Sequence, residues 1–201
     1  MQDSFHCGQR ISVVGTTGSG KTTLARRIAQ QLQIPHVELD ALHWEPGWTE
    51  ASDQVFRDRI TEALAGDRWV VDGNYSKARD LVWSRADTVV FLDYPFWLVM
   101  NRLLRRTVQR SFRQEELWNG NRENVWLSFF SQNSILLWLL QTYQRNRKKY
   151  PALFQQPEYA HLSVIHLQFP KTTEDWLLNL SELATQPAVS PALKQLPLEQ
   201  P

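Results

Sequence analysis

Cysteine is almost missing from this chain: Cys7 is the only one among 201 residues. That excludes an internal disulfide and fits a reducing, cytoplasmic setting. Charge of one sign is missing as well. Lys and Arg number 22 against 21 Asp and Glu, a formal net charge of +1. No global field therefore draws the chain to nucleic acid or to a membrane surface, and any basic function must come from local clustering. The opening MQDSFHCGQR lacks a basic stretch followed by an apolar core, so no secretory signal is expected there. Long apolar runs are missing too. The most apolar segment, VWLSFFSQNSILLWLLQTY (125–143), is interrupted by Ser128, Ser131, Gln132, Asn133 and Ser134. It makes a poor membrane span and a better buried or interface helix. The tail, 186–201, holds four prolines and is expected to be disordered.

What is present is an alternation of short apolar runs with amphipathic segments. RISVVG (10–15), PHVELD (35–40), RWVVDGN (68–74), TVVFLDY (88–94) and LSVIHL (162–167) read as strands. Helices are expected at 21–32, where Leu24, Ile28 and Leu32 form one stripe, and at 52–66, with Ser52 or Asp53 as N-cap and Gly66 as the stop. Further helices are expected at 95–112, opened by Pro95, at about 124–149, and at 173–185. Strands alternating with helices predict an α/β fold: a five-stranded parallel sheet in a three-layer α/β/α arrangement over residues 1–185. In such a sheet ligands bind beyond the carboxyl ends of the strands, so the informative residues follow each strand.

GTTGSGKT (15–22) matches G-x-x-x-x-G-K-[ST] and stands between a strand and a helix, the context that motif needs. Gly15, Gly18 and Gly20 let the backbone curl so that the N–H groups of Gly15, Thr16, Thr17, Gly18, Ser19, Gly20, Lys21, Thr22 and Thr23 can face phosphate oxygens. Lys21 reaches the β and γ phosphates, and the Thr22 hydroxyl can ligate Mg²⁺. This is a P-loop for ATP. No Asn-Lys-x-Asp motif for reading a guanine base is present. Asp72, followed by the Gly73-Asn74 turn, is the better placed of two carboxylates to support Mg²⁺. Asp93, just before Pro95, reads more readily as a helix cap.

Arginines crowd the segment NRLLRRTVQRSFRQEELWNGNR: Arg102, Arg105, Arg106, Arg110, Arg113 and Arg122. Arg102, Arg106, Arg110 and Arg113 share one helix face, where like charges repel unless something anionic binds or Glu115, Glu116 and Glu123 compensate. Phosphoryl transfer needs such guanidinium groups, because charge develops on the oxygens of the moving group. A second cluster, RNRKK (145–149), is explained equally well by favourable cations at a helix C-terminus or by Arg145 and Arg147 returning to the site.

GTTGSGKTT, WVVDGNY and VVFLDYPFWLVMNRLLRR together resemble the adenylate kinase-like P-loop kinases. ELDALHW beside GTTGSGKTTLARRIA resembles more closely the bacterial subgroup known as adenylate kinase-related or DNA topology modulation proteins. The resemblance implies a P-loop kinase fold with Arg102 on the base side and Arg106 on the transferring phosphates. Its lid would be a helical insertion at about 107–150, since one cysteine allows no zinc-bound lid. The subgroup's label implies a DNA-linked role, though no DNA-binding motif is recognisable.

VELDALHWEPGW (37–48) follows the second strand, opposite the expected ATP, where a phosphoryl acceptor belongs. Asp40 is then the group to orient or deprotonate an acceptor hydroxyl, and a carboxylate there suits a hydroxyl or amine better than a phosphate. His43 either assists or is structural, and Trp44 and Trp48 either stack on a ring or close the core. Arg57 and Arg59 come only later. Two functions stay open: phosphoryl transfer from ATP to a small molecule, and an ATP-binding regulator that touches nucleic acid through Arg102 to Arg122. Trp126, Phe129, Phe130, Ile135, Trp138 and Leu139 fit core packing, a lid or a dimer interface, leaving monomer and homodimer both open.

Overall fold

The computed structural model describes residues 8–113, 118–121 and 135–185. Its main sheet has five parallel strands: β1 (Arg10–Gly15), β2 (His36–Glu38), β5 (Trp69–Asp72), β6 (Thr88–Leu92) and β7 (Ser163–Leu167), in the order β2-β5-β1-β6-β7. A small antiparallel ribbon, β3 (Trp44–Glu45) with β4 (Thr49–Glu50), stands apart from it. The helices are α1 (Lys21–Leu32), α2 (Leu39–His43), α3 (Asp53–Ala63), α4 (Arg79–Trp83), α5 (Phe96–Arg113), α6 (Ile135–Phe154) and α7 (Pro170–Thr185).

Strand periodicity explains the layers. Along β1, Ile11 and Val13 point into one core with α1, α5 and α7, while Val14 joins a second core with α3 and α4. Both faces are covered, as a parallel sheet requires. Helix α6 contributes Leu139 and Tyr143 to the first core and Tyr150 to the second. It passes the carboxyl end of the sheet on the way: the Tyr143 hydroxyl donates to the Tyr94 carbonyl and the Tyr150 hydroxyl to Asn74, each just beyond a strand.

Several expectations are corrected. β2 ends at Glu38, and the chain turns at once into the short helix α2, so Asp40 stands on a helix and not at a strand end. The aromatic stretch folds into α2 and the ribbon because Gly47 takes φ 73 and lets the chain double back. Helix α4 has only five residues, too few for periodicity to reveal. Helix α6 does not stop before Pro151 but runs through it to Phe154. The cost of an interior proline is offset by packing of Tyr150 and Phe154 against Trp83 and Phe91. Arg145 to Lys149 therefore lie within the helix, and the favourable helix-end explanation for them fails. Asp93 does not cap α5. It binds Arg147 Nε at 2.8 Å and His166 Nε2 at 3.1 Å. Residues 122–134 and the tail from 186 lie outside the described residues, as do the side chains of Arg110, Arg113, Ile135 and Trp138. No helix among the described residues is long and apolar enough to cross a membrane.

Candidate active site

The phosphate loop leaves β1 at Gly15 and enters α1 at Lys21. A side chain at Gly15 (φ 151) would put its Cβ 2.5 Å from the Leu92 carbonyl, and one at Gly18 (φ 80) would put it 3.0 Å from the Val99 carbonyl. Only glycine permits this curl. Gly20 caps α1 without any side-chain hydrogen bond, so the first-turn N–H groups stay open to an anion. The Ser19 hydroxyl is buried inside the loop without a hydrogen-bond partner. Both features fit a ligand rich in acceptor oxygens. Thr16 is buried and Thr23 is exposed on the first turn of α1.

Lys21 lies across the loop with Nζ 3.4 Å from the Thr16 carbonyl. Burial lowers its proton affinity, and the positive charge of Arg106 acts in the same direction, while Asp72 and Asp40 oppose both. Arg106 is thus close enough to act on the same charge as Lys21. Arg102 donates from Nη1 to the Ser19 carbonyl at 3.1 Å, and its guanidinium stands 5.0 Å from the Tyr94 ring centroid. Of the two arginines singled out from the sequence, Arg102 is thus bonded to the loop. Arg105 is exposed, and Arg122 lies outside the described residues.

Asp72 ends β5 beside β1 and is almost fully buried. The Thr22 hydroxyl donates to its Oδ2 at 2.5 Å, and His36 Nε2 lies 3.4 Å from its Oδ1. Two hard oxygens side by side at the foot of a phosphate loop fit Mg²⁺, which takes one or two protein oxygens and completes its shell with phosphate and water. Among the described residues no group of three or more His, Cys, Asp or Glu could hold a metal by itself.

Asp40 acts on Lys21 as well, and its Oδ1 accepts a 2.6 Å hydrogen bond from the Tyr75 hydroxyl. Burial and the neighbouring carboxylate hold Tyr75 protonated, so it remains the donor. His43 is packed among Trp44, Phe56 and Tyr75, with centroid distances of 5.0, 4.9 and 4.5 Å. Burial lowers its proton affinity, against the pull of Glu50. His43 is a structural member of this cluster. Trp44 and Trp48 meet edge to face at 5.5 Å, and Trp48 is 38% exposed. Arg57 forks onto Asp80 at 3.0 and 2.6 Å, and Arg59 binds the Leu42 carbonyl and Glu45, each at 3.0 Å. Both are occupied by protein acceptors.

Sequence reading missed four participants: Tyr75, Trp118, Asn74 as a loop contact, and Tyr150. Trp118 donates from Nε1 to Glu38 at 3.1 Å, while Asn119 and Asn121 bind the carbonyls of Trp44 and Glu45. The described piece of the insertion is thereby stitched to the aromatic stretch. Tyr75 and Asn74 follow a strand at its ligand-binding end, a positional signal that was available. Trp118 and Tyr150 carried none.

Residues 11–93 match the family described as ATPase family associated with various cellular activities (AAA). The ATP-dependent protease ATPase subunit HslU of Caulobacter vibrioides is 39% identical over 59 residues, which is 28% of this chain and 14% of that protein. The chain thus aligns with only a small part of this curated relative. Among solved structures, shikimate kinase from Acinetobacter baumannii in complex with shikimate superposes with a TM-score of 0.50 at 18% identity, covering 89% of this chain and 94% of that one. A gluconokinase from Sinorhizobium meliloti 1021 gives 0.48 at 22% identity, covering 89% and 95%. The phosphate loop and the parallel sheet flanked by helices make this an α/β P-loop fold.

Proposed function

We propose that the chain is an ATP-dependent kinase of a small molecule bearing a hydroxyl or amine. The observation that carries this reading is a pair of carboxylates with different partners, both acting on Lys21: Asp72 bonded by Thr22, and Asp40 bonded by Tyr75. The first arrangement suits nucleotide phosphates and a metal, the second an acceptor proton. Thr22 and Asp72 would hold Mg²⁺, which when bound neutralises charge on the β and γ phosphates. The Gly15 N–H is bonded to Asn74 and the Ser19 N–H to the Thr16 carbonyl, so against expectation these two are taken. The other loop N–H groups and Lys21 grip the phosphates, and Arg106 balances charge on the moving phosphoryl group. Tyr75 fixes Asp40 so that its free oxygen takes the acceptor proton as the new bond to phosphorus forms and the bond to the bridging oxygen of ATP breaks.

An acceptor phosphate would meet the Asp40 carboxylate, and both α3 arginines are already occupied. The reading therefore favours hydroxyl or amine acceptors over nucleoside monophosphates within the adenylate kinase-related group that the motifs resemble. A cytoplasmic, ATP-rich setting fits it.

The test is a screen of purified protein with Mg–ATP against polyols, sugar acids, amino alcohols and nucleoside monophosphates, scoring phosphorylated product. Product well above background ATPase is expected for a hydroxyl or amine acceptor. Asp40→Asn should lower turnover by about 10²–10⁴-fold, the usual worth of general-base catalysis. Wild-type turnover in that variant removes Asp40 from the mechanism. No product from any acceptor, together with salt-sensitive DNA binding lost on replacing Arg102 and Arg106, would put the nucleic-acid regulator in its place.

A further inference from the structure

The turn after β5 does more than carry Asp72. The Asn74 side chain lies against Gly15, the first residue of the phosphate loop. Its Nδ2 donates to the Gly15 carbonyl at 2.5 Å, and its Oδ1 accepts from the Gly15 N–H at 3.3 Å. Only this orientation of the amide satisfies both groups. The same Oδ1 accepts from the Tyr150 hydroxyl at 2.9 Å, and Tyr150 is 76 residues away on α6. Tyr150 is itself immobilised, with its ring against Phe91 and Phe154 and only 3% of its surface exposed. Asn74 is exposed, so its bonds are not a by-product of core packing. The strand end and its turn, residues 72–75, thus reach three parts of the candidate site. Asp72 holds Thr22 at the far end of the loop, Asn74 holds Gly15 at the near end, and Tyr75 holds Asp40.

We propose that Asn74 is a positioning residue for the phosphate loop, fixed by Tyr150, so that the root of the insertion sets how tightly the loop grips nucleotide phosphates. The loop's N–H groups bind only if their directions are fixed beforehand, and Gly15 is the flexible joint from which those directions are set. Asn74 splints that joint by pairing with both of its backbone groups. Tyr150 removes the rotational freedom of the splint. The proposal rests on the nucleotide-binding part of the function proposed above and is independent of the acceptor.

Equilibrium titration with Mg–ATP and Mg–ADP tests it in wild type, Tyr150→Phe, Asn74→Asp and Ser52→Ala. Tyr150→Phe keeps the ring and loses one hydrogen bond, and should weaken both nucleotides about 3- to 10-fold. Asn74→Asp keeps an acceptor for the Gly15 N–H but turns a carboxylate on the Gly15 carbonyl, and should weaken them by on the order of 100-fold. Ser52→Ala is the structural control. It removes the α3 cap bond to the Val55 N–H, which touches none of these residues, and should lower the melting temperature while leaving both affinities in place. With an acceptor in hand, Tyr150→Phe should raise KM for ATP and leave KM for the acceptor unchanged. Wild-type affinities in both site variants overturn the proposal alone, even if their melting temperatures fall. Failure of the wild type to bind either nucleotide overturns it together with the kinase reading.

Discussion

At the scale of single residues, what surrounds a buried titratable group separates a candidate for chemistry from a group that is only packed. His43 shows the second case. Its folded proton affinity lies below the ordinary value of 6.5 because it is buried in an aromatic cluster. On acidification the unfolded chain takes up this proton first. The stability that neutral His43 allows is complete above about pH 6.5 and declines as the pH falls below that value. Urea titrations at pH 7 and pH 5 should therefore show a smaller loss in His43→Phe, which keeps the ring packing without a titrating group, than in wild type. Equal losses would mean that other groups set the acid limb. Lys21 is the first case. Its lowered proton affinity comes from the same burial, but open N–H groups and an orphaned hydroxyl surround it, and no packed rings do.

At the scale of elements, the regular pieces were legible and the irregular ones were not. The phosphate loop, β1, α1 and β6 lie close to where hydrophobic period and glycine spacing put them, because each is long enough for its pattern to repeat. α3 shows how local such signals are. Ser52 was one of two expected caps, and its hydroxyl accepts from the Val55 N–H at 3.3 Å. Ser52→Ala should cost about 1 kcal/mol of unfolding free energy, readable as a lower urea midpoint at unchanged slope. An unchanged midpoint would assign the helix start to Asp53 or to packing alone. The acceptor side was less legible for the opposite reason. α2 and the β3–β4 ribbon are fixed by partners distant in sequence, Trp118 to Asn121, whose contact with residues 38–48 no local pattern announces. Pro151 misled because a local rule was outweighed by aromatic packing from α4 and β6.

At the scale of the whole molecule, the site is assembled from β1, β2, β5, β6 and their following turns, with α6 drawn across the top, so a ligand that fills it should stabilise the fold as a unit. Mg–ATP at about 100 times its Kd adds about 2.7 kcal/mol by mass action. For a chain of this size that corresponds to a rise of roughly 5–10 °C in melting temperature. Lys21→Met should abolish most of the rise, and an equal rise in that variant would move nucleotide binding elsewhere. The candidate catalytic residues Lys21, Asp40, Arg102 and Arg106, and the candidate metal ligand Asp72, could be named from motif and position, because each belongs to the phosphate loop, lies at or after a strand end, or shares a helix face. Asn74 and Tyr75 carried the same positional signal but no chemistry that points to a partner, and Tyr150 carried no signal at all until the fold brought it to Asn74.

The carboxylates around Lys21 have one more consequence. Asp72 and Asp40 both raise its proton affinity, so in the ligand-free protein they act as internal counter-ions to a buried cation. These carboxylates stay in place when a ligand enters, so a bare anion would meet their charge as well as that of Lys21. A nucleotide accompanied by Mg²⁺ offsets that charge, and the proposed site is therefore expected to favour the metal complex over chloride or a lone phosphate.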